Sequence, residues 1–548
     1  MNSMIRVFFP ILAILLLTQC KKPDFVTIPD NNFLNALIDL GVDVNKDGKI
    51  SPDEALLVDS LSLRYSPDIS DMKGIEFFVN LKTLIIIGTQ ITSLNLSGNK
   101  NLKTLWCLES QLTSLDLSGN KNLQTLTCSG NQLTSLNLSA NKALHNLGCG
   151  YNPLSSLKIS ENLVLESLHC DNCLLAALDI SKNSTLKELY CGNNQLTTLD
   201  ISNNKDLTSL FCNYNQFTVL DVSGNTGLET LECNNNPLTT LELPIELKYL
   251  SCRYTQLLKM DFSNNKTLRR IDCSYNKFTS LNLSNNTELI EVCCTDNKLT
   301  TLNVSKCINL TDLWCEKNQL TNLDISENMA LTFLQCGHNQ LTALDLSGNM
   351  DLSGLDCTDN QLTALDISKN TSIYALICSS NQIASLNVSD KTSLYNLDCS
   401  SNRLTTIDIS NNIALSNLTI RYNPLTKLDV SHNTELVNLD CTGDQLTDID
   451  ISKNIALSTL NCTSNQLTIL NVSGNTKLDY LLCSNNLLTS LDLSKNFLSN
   501  LDISNMPSLN KVCVWVMPFP PPIREFSHIV NVNTTGSPNV YFTTTCSK

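Results

Sequence analysis

Two short alternations of apolar and polar residues recur along most of the chain. In residues 123–141 the first is Leu126-x-Cys128 and the second is Leu136-x-Leu138. Alternation with period two puts successive side chains on opposite faces of a strand. A turn with an asparagine follows each alternation, Asn131 after the first and Asn141 after the second. The unit recurs every 21 residues: cysteines stand at 107, 128, 149, 170, 191, 212 and 233 and, after one step of 19, at 252, 273, 294, 315, 336, 357, 378 and 399. Ile420 takes the next slot, Cys441, Cys462 and Cys483 follow, and Ile86 precedes Cys107, so the column has 20 positions, 18 of them cysteine. A unit this short cannot bury its leucines alone. Successive turns of chain must stack their strands in parallel and share one interior. The pattern predicts a mainly β solenoid with stacked parallel strands on two faces and a small helical N-terminal cap.

The repeat reads L-x-x-L-x-[LC]-x-x-N-x-L-x-x-L-D-L-x-x-N. It resembles the bacterial twenty-one-residue class of leucine-rich repeat, sometimes called IRREKO, over roughly residues 81–505. More distantly it is similar to the internalin repeats, which are typically a residue longer. The resemblance implies a surface or secreted binding protein.

Each column has a physical reading. The first-turn asparagine recurs at 15 of 20 positions, with Thr89, Ser110, Cys173, Thr255 and Asp444 as the exceptions. An amide there can satisfy backbone groups that the turn leaves unpaired, forming a ladder between coils. The cysteine column admits a disulfide ladder, a metal chain or plain burial. Its inward position, shared with Ile86 and Ile420, favours burial of a small apolar side chain. Cys170 and Cys173 make a C-x-x-C, but one is a column residue and the other replaces a ladder asparagine, so no redox motif is expected. Cys307 replaces a second-turn asparagine and Cys293 faces outward. Aspartates recur in the second strand, as at Asp324, Asp345 and Asp366, where neighbouring hydroxyls and solvent are favoured over a calcium stripe.

The ends carry different signals. Arg6 and the apolar run Val7 to Leu17, 11 residues long, suit an export signal and are too short for a comfortable membrane span. Leu17-Thr18-Gln19-Cys20 resembles a bacterial lipobox. That implies removal of residues 1–19 and lipid attachment at Cys20; ordinary cleavage to a soluble secreted chain is the alternative. Localisation at an outer membrane or cell surface, held by lipid alone, follows from the lipobox reading. Residues 20–30 form a tether. In residues 31–62, Asp43-Val-Asn45-Lys-Asp47-Gly48-Lys49-Ile50-Ser51-Pro-Asp-Glu54 resembles the EF-hand calcium loop. By that resemblance Asp43, Asn45, Asp47 and Glu54 give side-chain oxygens, Lys49 gives a carbonyl, and Ser51 binds directly or through water. A structural Ca2+ is expected, against a vacant helix-turn-helix. Residues 63–80 read as an N-terminal cap, 81–505 as the solenoid and 506–548 as a C-terminal cap. The step from Cys483 to Cys513 reads as one repeat plus nine extra residues, Phe497 to Asn505. Cys513 and Cys546 are expected to form a disulfide closing that cap.

Charge narrows the partner. With 52 acidic and 37 basic residues the net charge is −15, which repels phosphate backbones and argues against nucleic acid. The five histidines, 145, 169, 338, 432 and 528, sit in no metal or nucleophile motif, and no phosphate loop is present, so an enzyme is not expected. Recognition falls to the columns that vary. On the outward face of the first strand these hold Trp106, Tyr151, His169, Tyr190, Phe211, Tyr214, Tyr254, Tyr275 and Trp314. Flat rings on a rigid sheet suit a protein or peptide ligand, with a glycan as the alternative; ordinary strand aromatics are the bland reading. A monomer is expected.

Overall fold

The computed structural model describes residues 24–520 and 531–546, so Arg6, the apolar run, Cys20 and His528 lie outside the described residues. The chain forms two compact units, Met1–Leu186 and Lys187–Lys548.

The first unit opens with two helices. Asn31–Asp39 buries Phe33 and Leu37, four residues apart on one face. Its cap Asp30 accepts from the Asn32 N–H at 2.8 Å and also from the Ser70 N–H at 2.8 Å, which ties the helix to the segment entering the coils. Pro52–Leu57 starts with a reciprocal capping box: the Ser51 hydroxyl accepts from the Glu54 N–H at 3.2 Å, and Glu54 accepts from the Ser51 N–H at 2.8 Å. Parallel strands follow at Ser60–Arg64, Thr83–Ile87, Thr104–Leu108, Thr125–Thr127, Asn146–Gly148 and Ser167–His169, each paired with the next. Stacking therefore begins one coil before residue 81. Leu61 and Leu63 already supply the inward alternation.

The second unit continues the same pattern from Glu188–Tyr190 to Asn531–Asn533. Its other side carries a ladder only in places. Val219–Asp221 pairs with Thr240–Glu242, Ser280–Asn282 with Thr301–Asn303, and Ser490–Asp492 with Lys511–Cys513, which pairs in turn with Tyr541–Thr543. Coils without that ladder still keep their leucines inward, as at Leu344 and Leu346.

The C-terminal register corrects the expected insertion. Tyr480–Leu482 pairs with Asn500–Asp502, so Ile503, and not Cys513, follows Cys483 in the column. That coil is one residue short, and no nine-residue insertion exists. Cys513 sits on the second side. It lies against Cys546 in a disulfide with Cα atoms 5.7 Å apart. The segment after 505 adds strands to both sides, so pairing runs on past the expected boundary.

Two columns hold the interior together. Asn131 donates from Nδ2 to the Cys107 carbonyl at 2.7 Å and the Cys128 carbonyl at 2.9 Å, while its Oδ1 accepts from the Leu112 N–H at 3.1 Å. With the Ser129 carbonyl at 3.4 Å, one side chain thus serves four backbone groups on two coils. Where Cys173 replaces the amide, its thiol points at the Cys149 carbonyl at 3.6 Å.

The column cysteines are buried free thiols, with no bridge between coils. Burial pushes the Cys128, Cys233 and Cys483 thiols up to about 12. A thiolate is the nucleophile, so these groups are inert in the folded chain. Thiol titration without reductant should find almost nothing reactive in the native protein. In denaturant it should find the 21 free thiols of the described residues. A denatured count near zero would overturn the packing role of this column.

Candidate functional site

The outward face of the first sheet ends, coil after coil, at a corner that bends the wrong way for most residues. The residue two after the column cysteine has a left-handed backbone: φ is +53° at Tyr151, +53° at Asn172, +52° at Asn193, +54° at Tyr214 and +55° at Asn235. Glycine, asparagine and aspartate tolerate that region; a bulky side chain does so at a cost. The column obeys this rule at Gly130, Asn485, Asp296 and Asp359. It breaks the rule with tyrosine at 151, 214, 254, 275 and 422.

The rings at and beside these corners are organised. In the second unit Tyr190 and Phe211 stack with centroids 4.3 Å apart and planes 8° from parallel. Tyr254 and Tyr275 stack at 4.1 Å and 9°. Strand spacing near 4.8 Å puts equivalent residues of adjacent coils at stacking distance. The Arg253 guanidinium lies 5.7 Å from the Tyr254 ring and 5.4 Å from the Tyr275 ring, with Nε 3.4 Å from the Asp272 carboxylate. Tyr214 is exposed two coils before Tyr254, and Trp314 is half-buried further along. In the first unit Trp106 is half-buried under Arg64, whose guanidinium stands 5.9 Å from the ring. Tyr151 and His169 border a separate groove of about 490 Å³ that includes Gly148 and Asp171.

Arg253, Tyr249 and Arg270 were not among the residues expected from the sequence. Arg253 follows its column cysteine directly and Tyr249 and Arg270 come three before theirs, so the signal lay in columns next to the ones read. The left-handed corner was also legible, as a column rich in Gly, Asn, Asp and Ser.

The N-terminal loop is a second candidate. Asp43 accepts from the Gly48 N–H at 2.9 Å and the Asp47 N–H at 3.2 Å, Asn45 from the Asp47 N–H at 2.9 Å, and Asp47 from the Lys49 N–H at 3.0 Å. Glu54 reaches back to the Val44 N–H at 2.9 Å; hydrogen bonds from Ser51 hold its carboxyl below the usual range despite burial. Asp43 and Glu54 are both buried. An all-oxygen set of this kind, with Gly48 at φ +78° for the sharp turn, fits a hard divalent cation. Ile50 is buried, and its carbonyl accepts from the Val26 N–H at 2.8 Å.

No family model and no curated protein sequence matches the chain. Solved structures do. The plant peptide hormone receptor RGFR1 in complex with RGF2 is 20% identical, with 88% of this chain and 85% of that one covered at a TM-score of 0.63. YopM from Yersinia enterocolitica is 21% identical over 84% of this chain and 91% of its own, with a TM-score of 0.62. The functional domain of InlJ from Listeria monocytogenes, which includes a cysteine ladder, is 30% identical over 81% of this chain and 82% of that one, with a TM-score of 0.44. The chain is a leucine-rich-repeat protein.

In this leucine-rich-repeat protein the described residues include no helix long and apolar enough to cross a membrane. Its corner tyrosines make a test of their own. Tyr214→Asn should raise stability by about 0.5–1 kcal/mol, because asparagine relieves the left-handed strain at φ +54°. Urea titration reads the change; a loss of stability would show that the ring earns its place by packing.

Proposed function

We propose that the chain is a non-catalytic surface protein that recognises a protein or peptide ligand with the outward face of its first sheet. The observation that carries this is the tyrosine placed repeatedly at left-handed corners, where folding alone favours Gly or Asn. Strain kept at an exposed position is best accounted for by what the ring meets outside the chain. The fold supports the reading: the likeness to a receptor solved with a peptide hormone concerns architecture, and the ligand is argued from these residues. Attachment through a lipid on Cys20, an outer-membrane or cell-surface location, a monomeric state and the twenty-one-residue IRREKO class belong to the same proposal.

A glycan-binding lipoprotein of a nutrient-uptake system is the second reading, favoured by the groove beside Tyr151, His169 and Asp171. A photo-crosslinker at position 190, set against one at 345 on the other side, separates the two when combined with a glycan array. Crosslinks to protein from position 190 only, lost in a Tyr254→Asn, Tyr275→Asn double variant, support protein recognition. Array binding without crosslinks moves the assignment to glycans.

The Asp43–Glu54 loop is proposed to hold one structural Ca2+ through Asp43, Asn45, Asp47, Lys49, Ser51 and Glu54. Calcium should raise the melting temperature of the intact chain, and Glu54→Gln should remove that shift. No heat on titration and unchanged melting in chelator would leave a vacant loop.

A further inference from the structure

Between Phe211 and Glu291, in the second unit, the outward face of the first sheet dips into a groove of about 360 Å³. Its shape follows from register. In one outward column Glu232, Ser251 and Asp272 lie side by side on three adjacent strands; in the other, Thr230, Tyr249 and Arg270 do the same. Ser251 is the low point, a small residue between two carboxylates. Its hydroxyl is turned aside to the Asn234 amide oxygen at 2.8 Å. Tyr249 stands two residues earlier on the same strand and the same face. Phe211 closes the near end, backed by its stack on Tyr190.

The groove leaves one carboxylate without a cationic partner. Its lining holds three carboxylates, Glu232, Asp272 and Glu291, and one guanidinium, Arg270. Arg270 stands 3.4 Å from Glu291, so that pair is matched. Asp272 is matched too, with Arg253 at 3.4 Å, while Glu232 accepts an amide hydrogen bond from Asn213 at 3.0 Å and meets no cation among the described residues. Glu232 is therefore the one unmatched charge of the groove, within a chain of net charge −15. Glu232 and Asp272 sit two strands apart, roughly 10 Å between backbones at the usual spacing. A planar cation over Ser251 would have a carboxylate at each edge and an aromatic ring against its face.

We propose that this groove takes an arginine side chain of an extended, basic peptide segment. The proposal rests on the reading of this face as a protein-recognition surface and names the chemistry of the ligand. Guanidinium fits better than ammonium because it is flat, stacks on rings and donates from two edges at once. Neutral sugars offer Glu232 and Asp272 hydroxyl donors but no positive charge, so their hydrogen bonds there are the weaker.

Fluorescein-labelled hexa-arginine, hexa-lysine and a neutral oligosaccharide set are titrated with the intact chain at 0.15 M salt. Hexa-arginine should bind at least fivefold more tightly than hexa-lysine. Ser251→Leu, which fills the low point, and Glu232→Gln, which removes one carboxylate, should each weaken it tenfold or more. Asp345→Asn with Asp366→Asn, on the other side of the coils, should leave it within twofold. Thermal melts establish that each variant is folded, and Glu232→Gln carries the test should Ser251→Leu not fold. Hexa-arginine that binds Ser251→Leu and Glu232→Gln like the parent, or that loses as much on the Asp345/Asp366 variant, reveals diffuse attraction and overturns the proposal. So does tight binding of an oligosaccharide that hexa-arginine cannot displace. Crosslinking at position 190 that persists in either case leaves the recognition face standing without the arginine.

Discussion

Replacing Asn339 with alanine is expected to destabilise the chain by about 2–3 kcal/mol, from one buried N–H left unpaired at about 1–3 kcal/mol and two carbonyls that each lose one of two donors. Asn339 is 8% exposed. Its Nδ2 donates to the Cys315 carbonyl at 3.0 Å and the Cys336 carbonyl at 3.1 Å, and its Oδ1 accepts from the Leu320 N–H at 3.0 Å. Alanine leaves the Leu320 N–H without a partner inside the coil, whereas the Cys315 and Cys336 carbonyls each keep one donor, from Asn318 and Asn360 at 3.1 Å. Leucine, although it restores volume, should do no better, because the lost partners are polar. Asn411→Ala is the control: its amide also bonds a carbonyl of the preceding coil, Ser389 at 3.0 Å, but the residue is exposed and water can replace it. That change should stay within about 0.5 kcal/mol. Repeat arrays unfold by neighbouring units, so hydrogen exchange belongs beside urea titration. Faster exchange should centre on the coils of Cys315, Cys336 and Cys357. A shift below about 1 kcal/mol with unchanged exchange would mean that the amide ladder adds little to the coil.

How much of this was legible beforehand divides along a physical line. A period of 21 with inward Leu and Cys fixes what each coil must bury, so the coil, its core columns and the amide ladder could be read from residue types alone. Register at the C-terminus could not. Cys513 lies 30 residues after Cys483 and carries the right side chain, yet it belongs to the other side. One residue missing between Asn496 and Leu498 moved Ile503 into the column, and identity was a poorer guide there than spacing. The candidate ligand face was half legible. Tyr190, Phe211, Tyr254 and Tyr275 stood out because aromatics gather there in outward columns that vary. The left-handed corners of Tyr254 and Tyr275 show in a column rich in Gly, Asn, Asp and Ser, but that Arg253 lies beside both rings depends on side-chain direction, which a column of letters does not carry. Arg270 and Tyr249 were hidden by a further effect. They lie in a column where polar residues are ordinary, and only the groove over Ser251 gives them a role.

Asp444→Asn should make the protein more stable at neutral pH and leave it unchanged near pH 4. Asp444 occupies a slot of the amide ladder with a carboxyl group. Its Oδ1 accepts from the Asn423 N–H at 2.7 Å, while Oδ2 is buried without a hydrogen-bond partner. Burial pushes this carboxyl up to about 7 from 3.8, against the pull of the Asn423 hydrogen bond, and the Asp440 charge adds to the rise. The sign follows from linkage. Below the unfolded value of 3.8 both states are protonated, and the stability of the neutral acid is fully present. As pH rises the unfolded chain loses its proton first, so stability falls, and the fall ends as pH passes the folded value of about 7. A shift of this size corresponds to at most about 4 kcal/mol, at 1.4 kcal/mol per unit. Local relaxation and water reduce it, so an effect of about 2–3 kcal/mol is expected. Asparagine has no proton to lose and supplies the missing donor, as Asn423 and Asn465 do on the flanking coils. Urea titrations at pH 4, 5.5, 7 and 8 should show the parent and the variant diverging through this window, with the variant the more stable at the alkaline end. Parallel profiles would mean that Asp444 is already charged at pH 4, and that Oδ2 finds water or a partner when the coil breathes.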